Sequence, residues 1–398
     1  MPDHCYWFPS PFDATRLITQ VGNQQPDLLQ PSLPMIFPLL ALLVASRPIV
    51  ADPLLFLGTY TKSSSEGIYA YRLEQSTGKL LPLGLVAKAE NPSFLAIHPN
   101  GKFLYAVDEK AQGSVVAFAI NRDSGKLTEL NSASTKGDDP CHLMVDSTGQ
   151  FLIAVNYSSG STIRIPILAD GKLGDPGAFV KHAKPEGLPG SDPARQKDAH
   201  AHSINFSPDG RFAFVADLGR DELITYRVDQ GGLTPSSVTK IEPGSGPRHF
   251  TYNPSRNTAF VINELKSTVT VLGVNSKDGT FKTRQTISTL PADFKGKSFC
   301  AEVQMHPSGK FVYGSNRGHN SITIFKYSGG KLTFVGTEST RGDWPRNFAI
   351  DPSGKFLIAE NQNSNSIAVF KIDPKTGKLK PVGDTIEAGS PVCIKFLK

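Results

Sequence analysis

Two histidines separated by one residue form the most chemically suggestive segment of the sequence. They lie in Asp198-Ala199-His200-Ala201-His202-Ser203, and on a β-strand the side chains two residues apart face the same side. Such a pair suits a metal site, a buried hydrogen-bonded pair, or a catalytic or substrate-binding pair. Because no third ligand stands at a fixed spacing, the sequence argues against a metal site here.

Other side chains that could move protons or hold anions are spread over the following segments. Imidazole and carboxylate groups can act as general bases, and arginine forks suit carboxylates, phosphates and oxyanions. The candidates outside the histidine pair are His142, Arg248, His249, Glu264, Glu302, Arg317, Arg346 and Asn347. There is no glycine-rich phosphate loop, Gly-x-Ser-x-Gly elbow or His-Glu-x-x-His helix, so we expect neither cofactor nor metal.

A recurring pattern of strands and turns must position these residues. Each copy has a proline, a short apolar strand, a Pro-Ser/Asp/Asn-Gly turn and an aromatic-rich strand, most clearly at 91–105. The turn recurs at 147–149, 208–210, 254–257, 307–309 and 352–354. This spacing of roughly 45–60 residues, with two further strands per copy, is typical of β-propeller blades.

The count of strands predicts how the ring closes. First strands begin near Ser93, Cys141, His202, Arg248, Ala301 and Arg346, which makes six blades. At the N-terminal end, Leu54–Tyr60 and Ile68–Arg72 match a second and a third strand, and Pro391–Phe396 matches a first strand. Joining the two ends gives an all-β, seven-bladed propeller over 52–398, with four antiparallel strands per blade and no open edge.

In a propeller the first strand of each blade lines the central channel. The equivalent entry positions are Ser93, Cys141, His202, Arg248, Ala301, Arg346 and Val392. The following positions are Phe94, His142, Ser203, His249, Glu302, Asn347 and Cys393. This concentration of histidine, arginine and glutamate favours a catalytic or substrate-binding site at the channel mouth.

The second strands end at the same rim in two further rows. The first row is nearly all Asx, which predicts a structural role because these side chains bond to turn backbone; it comprises Thr59, Asp108, Asn156, Asp217, Asn263, Asn316 and Asn361. The next row varies as a ligand-specific row would, and its best functional candidates are Glu264 and Arg317. The long Pro- and Gly-rich segment Lys181–Lys197 is either a loop over the mouth or a disordered insertion.

The N-terminal region is interpreted separately. Residues 1–34 are polar and aperiodic, a non-domain extension, and Met35–Ser46 is apolar but too short to span a bilayer. Residues 35–51 therefore read as a signal peptide, which predicts export to the periplasm or medium. The absence of a basic residue after Met35 and the poor fit of Ile49 keep a cytoplasmic location as the alternative.

Composition excludes several classes of partner. The formal net charge is +6, from 42 basic and 36 acidic residues, with no basic block dense enough for nucleic acid. This mild excess of positive charge suits a small anionic ligand. No pair among the four cysteines has metal or redox spacing, and Cys141, Cys300 and Cys393 are expected to be buried thiols. We expect no membrane span, and a monomer is the simplest oligomeric state.

Several of these segments resemble the lactonase seven-bladed β-propeller family. They are Phe56–Thr61, Asn91–Ser93, His200–His202, Gly246–His249, Ser315–His319 and Trp344–Phe348, and the likeness runs from Leu54 to Lys398. The family includes propeller-type 6-phosphogluconolactonases and carboxy-muconate cyclases, so the resemblance implies lactone hydrolysis or the reverse cyclisation. Matching its motifs implies that His200, Arg248, Glu264 and Arg317 are catalytic.

The residue types suggest roles for that chemistry. His200 or Glu264 would be the base, Arg248 would stabilise the oxyanion, and Arg317 and Arg346 would hold the anionic group. His202, His142, His249, Glu302 and Asn347, with Arg346, complete the expected substrate-binding set. The favoured substrate is 6-phosphogluconolactone. The alternatives are a cycloisomerase, a hydrolase of another lactone, or a non-enzymatic ligand-binding propeller, and export would favour an extracytoplasmic lactone or a purely binding role.

Overall fold

The structure, a computed structural model, describes residues 52–61, 64–184, 192–253 and 257–397. The extension 1–34 and the signal peptide 35–51 lie outside the described residues, so both assignments stay predictions. All regular elements in the described part are β-strands, arranged in seven antiparallel sheets. Among these residues no helix is long and apolar enough to cross a membrane.

Each sheet is one blade, and the blades follow one another along the chain. Blade 1 contains β1 (Leu54–Thr59), β2 (Gly67–Leu73), β3 (Leu80–Lys88) and the C-terminal β29 (Pro391–Phe396). Blade 2 contains β4 (Leu95–Ile97), β5 (Phe103–Asp108), β6 (Ser114–Ile120) and β7 (Leu127–Ser134). Blade 3 contains β8 (Pro140–Val145), β9 (Phe151–Asn156), β10 (Ser161–Pro166) and β11 (Phe179–Lys181). Blade 4 contains β12 (Ala201–Phe206), β13 (Phe212–Asp217), β14 (Glu222–Val228) and β15 (Leu233–Lys240).

The remaining three blades repeat the arrangement. Blade 5 contains β16 (Pro247–Asn253), β17 (Thr258–Asn263), β18 (Thr268–Asn275) and β19 (Thr280–Ser288). Blade 6 contains β20 (Phe299–Met305), β21 (Phe311–Arg317), β22 (Ser321–Ser328) and β23 (Lys331–Ser339). Blade 7 contains β24 (Pro345–Ile350), β25 (Phe356–Asn361), β26 (Ser366–Ile372) and an outer edge split into β27 (Leu379–Pro381) and β28 (Ile386–Glu387).

Blade 1 closes the ring as the strand count predicts. Its strand order is β29-β1-β2-β3, so one C-terminal strand completes three N-terminal ones. The register pairs Leu57 with Ile394, and Ile394 is only 2% exposed. The predicted seven-bladed propeller, including the joint between its ends, is confirmed. Because β29 pairs directly with β1, the inner edge of β1 is not left unpaired.

The repeated turns also tie successive blades together. Gly149 has φ +76°, a left-handed conformation that glycine adopts without strain, and its carbonyl lies 3.0 Å from Nε2 of His98 in the preceding blade. A Cβ on Gly149 would lie 2.3 Å from that imidazole ring. His306 and Gly354 repeat the contact at 2.8 Å. The predicted turn at 254–256 lies outside the described residues.

The second strand of each blade carries the scaffold that holds the channel. Every residue of β9, β13, β17, β21 and β25 is buried, because apolar faces of adjacent blades cover both sides of these strands. The outer strands such as β15 and β19 alternate toward solvent. Close packing of this kind resists deformation, so the channel-lining strands are held rigidly.

A β-bulge lies near the start of the innermost strand in six blades. The ladder skips one residue at Cys141, His202, Arg248, Arg346 and Val392, and two residues, Ala301 and Glu302, oppose Ser315 in blade 6. A bulge bends the strand and re-aims its side chains. Adjacent residues such as Arg248 and His249 therefore both reach the channel, at two successive levels.

Candidate active site

A single buried carboxylate organises the channel mouth at which the inner strands begin. Glu264, just after β17, lies within 2.7 Å of Arg195, 3.0 Å of Arg248 and 2.9 Å of Arg317. Its side chain is 2% exposed, and those of Arg248 and Arg317 are 3% and 5% exposed. Three guanidinium groups thus share one carboxylate, so the cluster carries excess positive charge.

The electrostatics of this cluster follow from burial and proximity. Burial acts to raise the pKa of Glu264, but the charges of Arg317, Arg248 and Arg195 outweigh it and hold that pKa well below its usual range. Burial, reinforced by Arg317 and Arg346, lowers the pKa of Arg248 to about 9. At neutral pH, Glu264 is therefore ionised and Arg248 still protonated.

His200 lies beside the cluster through two intermediary side chains. Its ring stacks on Tyr157 with centroids 4.5 Å apart, and the Tyr157 hydroxyl accepts a hydrogen bond from Arg195. Nδ1 of His200 lies 3.0 Å from the carbonyl oxygen of Tyr157. Since a carbonyl can only accept, Nδ1 carries the proton, and in the neutral ring the lone pair is on Nε2.

Arg346 occupies the other side of the mouth. Its Nη2 donates to the Tyr60 hydroxyl (3.0 Å), which in turn donates to the Glu109 carboxylate (2.8 Å), and Ser93 also donates to Glu109. Arg346 and Arg248 line a shared pocket of about 10 Å³, enough for a water-sized group. Within the described residues Arg346 pairs directly with no carboxylate, which leaves donors for an anion.

The second level of the channel contains a separate polar network. Nδ1 of His249 lies 2.8 Å from Glu302, which also accepts a hydrogen bond from Asn347 (2.6 Å). Nε2 of His249 lies 3.1 Å from Nη1 of Arg248, so the two levels are in contact. Burial raises the pKa of Glu302 to about 7 and lowers that of His249 well below its usual range.

The other two histidines also lie in the channel interior. His142 stacks on Phe94 with ring centroids 4.0 Å apart, and His202 lies edge-on to Tyr157 and to His249. Burial lowers the pKa of both imidazoles well below the usual range, so both are neutral at pH 7. No group of three or more histidine, cysteine or acidic side chains in the described part of the chain is arranged to hold a metal ion.

The structure divides the predicted site residues between these levels. Arg248 and Arg317 each pair with Glu264, His200 joins them through Tyr157 and Arg195, and Arg346 faces Arg248 across the small pocket. Most of the other predicted substrate ligands belong to the second level: His142, His249 and Glu302 line a larger cavity at the opposite end of the channel, and Asn347 donates to Glu302. His202 lies edge-on to His249. The fold therefore does not bring all ten predicted site residues together at one rim of the channel.

The Asx row has the structural role that its composition predicts. Asn316 donates to the carbonyl of Thr289 (3.2 Å), and Asn361 donates to the carbonyl of Thr340 (3.0 Å). Such bonds fasten the ends of the second strands, so the side chains in the next row are held at fixed positions.

Sequence reasoning missed four residues of the mouth. Tyr60, Glu109 and Tyr157 belong to the variable row that follows the Asx positions. The variability of that row was therefore the sequence feature that could have identified them as residues of the mouth. Arg195 has no equivalent in other blades and comes from the segment Lys181–Lys197. Of that segment, 185–191 lies outside the described residues, and the part carrying Arg195 reaches Glu264 at the mouth.

The buried thiols are confirmed for Cys141, Cys300 and Cys393, which are free and 7%, 0% and 0% exposed. None pairs with another in the described chain. Burial raises the pKa of Cys300 and Cys393 to about 12, so these thiols are protonated and unreactive at neutral pH.

Comparisons with known proteins agree with this arrangement. Residues 54–396 match the family model described as lactonase, seven-bladed β-propeller. A 6-phosphogluconolactonase of Bacillus subtilis (strain 168) is 38% identical over 346 residues, which cover 86% of this chain and 97% of the relative. A 6-phosphogluconolactonase of Formosa agariphila is 35% identical, over 82% of this chain and 94% of the relative.

Solved structures show the same relationship. The periplasmic gluconolactonase of Pseudomonas aeruginosa superposes with a TM-score of 0.81 at 31% identity, covering 87% of this chain and 99% of that one. A protein from Lactobacillus plantarum superposes with a TM-score of 0.82 at 32% identity, covering 87% and 100%. The chain therefore belongs to the lactonase family of seven-bladed β-propellers.

Proposed function

We propose that the chain is a lactone hydrolase whose first substrate to test is 6-phosphogluconolactone. The observation that carries the proposal is the mouth itself, where four arginines and a histidine with an available Nε2 surround two carboxylates. The excess of positive charge suits an anionic lactone. Relatives from Bacillus subtilis and Formosa agariphila bear the name of this enzyme.

His200 is the better general base of the two predicted candidates. Its Nδ1 is occupied by the carbonyl of Tyr157, so Nε2 can accept a proton from the attacking water. Glu264 is held ionised by three arginines, and a carboxylate with so low a pKa is a weak base. Glu264 instead fixes the positions of Arg248 and Arg317.

The reaction then follows from these positions. Water loses its proton to His200 and attacks the lactone carbonyl carbon, and the carbonyl oxygen gains the negative charge. Nη2 of Arg248 has no partner among the described residues, so it can donate to this oxyanion. Collapse breaks the ring ester bond, and the departing ring oxygen takes the proton from His200, which gives a hydroxy acid.

The anionic group of the substrate would bind at Arg346. Within the part of the chain that the structure describes, its forked guanidinium makes one hydrogen bond, to Tyr60, and its other donors suit a phosphate or a carboxylate. The pocket between Arg346 and Arg248 holds only a water-sized group, so the sugar ring would lie on the more open rim formed by His200, Tyr157 and Arg195.

The decisive assay compares two lactones with spontaneous hydrolysis subtracted. We expect the purified protein to accelerate ring opening of 6-phosphogluconolactone more than that of gluconolactone, because only the former carries a phosphate. Arg248→Ala should abolish the acceleration, whereas Arg227→Ala, on the exposed face of β14, should not. Hydrolysis of both lactones at the spontaneous rate would overturn the proposal.

Export of the chain is a separate proposal. It rests on the apolar segment Met35–Ser46, which lies outside the described residues, and a relative of known structure is described as a periplasmic gluconolactonase. An exported enzyme would meet unphosphorylated lactones, so the preferred substrate of the assay bears on location as well. Mass spectrometry of the mature N-terminus tests the point: a chain beginning at Met1 or Met35 would contradict export.

A further inference from the structure

A wide cavity lies at the end of the channel opposite the arginines. It has a volume of about 650 Å³, within the range of small-molecule sites, whereas the pocket between Arg248 and Arg346 has about 10 Å³. The distal ends of the inner strands surround it, and it reaches the surface beside Met144, which is 37% exposed. We call it the distal cavity, and the proposed lactone chemistry makes no use of it.

Apolar side chains, among them Ile97, Met144, Met305 and Phe396, form about half of the wall of the distal cavity, and polar side chains form the rest. Methionine side chains adapt to ligands of different shape, so the apolar part of the wall can take a compact apolar body.

One cation projects into the cavity. Nζ of Lys395, on β29, lies 4.3 Å from the centroid of the Phe94 ring. In the described chain no carboxylate lies within ion-pair distance of Lys395, whereas Arg248 at the mouth is paired with Glu264. An anion in the cavity would therefore meet an available ammonium group.

One further donor faces the same space without a partner of its own. Nδ1 of His142 accepts from the backbone N–H of Ile204 (3.4 Å), so its hydrogen is on Nε2, which has no partner among the described residues. An acceptor in the cavity could therefore take this hydrogen bond in addition to lying near the ammonium group of Lys395.

The acidic groups near Lys395 do not reverse this charge. Burial raises the pKa of Glu302 to about 7 against the opposing charges of Lys395 and Arg248. Burial and the neighbouring Glu302 raise the pKa of Glu360 well above its usual range. The imidazoles of His142 and His249 are neutral, so at pH 6 Lys395 supplies the charge of the cavity.

We propose that the distal cavity is a second binding site, specific for a small organic monocarboxylate with an apolar body. The carboxylate would lie against Lys395, with His142 as a further donor, and the body would pack on Met144, Met305 and Phe396. His249 lines this cavity and also contacts Arg248, so the two sites share a wall but no anion-binding residue.

Isothermal titration calorimetry of the full chain at pH 6.0, with benzoate as the probe, tests this site. We expect saturable binding of one benzoate per chain and at least tenfold weaker binding of the neutral amide benzamide. Lys395→Met, which keeps the apolar stem, should raise the Kd at least tenfold. Lys371→Met, an exposed lysine on β26, should leave the Kd unchanged.

Two more variants make the result independent of folding and of the arginine mouth. Met144→Glu adds a negative charge at the exposed rim of the cavity and should also weaken benzoate at least tenfold. Arg346→Gln, in the other pocket, should not change the Kd. Absence of saturable benzoate binding, wild-type affinity in folded Lys395→Met or Met144→Glu, or loss of binding in Arg346→Gln would each overturn the proposal, whether or not the chain hydrolyses lactones.

Discussion

Replacing Glu264 by glutamine tests the central electrostatic claim about the mouth. The substitution keeps the size of the side chain but removes the charge that three arginines share. Removing one partner of a buried ion pair costs about 3–5 kcal/mol. Arg248 and Arg317 are 3% and 5% exposed and would both lose their carboxylate, whereas Arg195, at 34%, can turn toward solvent. We therefore expect the free energy of unfolding to fall by about 4–5 kcal/mol, the upper part of that range.

The measurement is equilibrium urea unfolding at pH 7.5, with a second buried glutamate as the control. Glu222 is 4% exposed, but among the described residues it pairs only with Arg220, which at 13% exposed can reach water, so Glu222→Gln removes one charged hydrogen bond and should cost about 1.5–3 kcal/mol. The reasoning predicts a clear difference between the two variants. If Glu264→Gln lost less than about 1 kcal/mol, or no more than Glu222→Gln, the arginines would not depend on this carboxylate.

Three further predictions concern the ring, the base and the inner network. Deleting Val392–Leu397 removes β29 from blade 1, so thermal unfolding should lose its cooperativity; an unchanged Tm would count against ring closure. His200→Ala should lower kcat about 10²–10⁴-fold, and full retention of kcat would rule out His200 as the base. Burial raises the pKa of Glu302 from 4.5 to about 7, so folding binds a proton there and stability falls as pH rises through that interval. Relative to wild type, Glu302→Gln should therefore gain about 2–3 kcal/mol of unfolding free energy between pH 5 and pH 8, and a pH-independent difference would contradict this.

The ring could be predicted because its signals are local and repeated. The turn pattern depends on glycine at positive φ, as at Gly149, and its regular return counts the blades. The strand count left the two ends of the chain as parts of one incomplete blade. Pro391–Phe396 pairs with β1, as that count requires. The choice of His200, Arg248, Glu264 and Arg317 came from family likeness, and the fold brings these side chains to one mouth.

The division of the channel into two levels could not be read from the sequence. It depends on bulges at positions such as Arg248 and Arg346, and a single extra residue in a ladder has no compositional signature. Arg195 was missed because it lies in a connection without an equivalent in other blades. The charge of the distal cavity depends on how Lys395 and Glu302 are buried, which is a property of the closed ring.

The joint in blade 1 also sets the order of events during synthesis. The hydrogen bond from Arg346 to Tyr60 joins residues 286 positions apart, and Tyr60 follows the strand that waits for β29. β29 is translated after every other strand of the propeller, so blade 1 can be completed only once β29 has emerged from the ribosome. A stalled or truncated nascent chain that lacks β29 would hold up to six finished blades and no working site. The time at which catalytic activity appears would therefore report the closing of the ring.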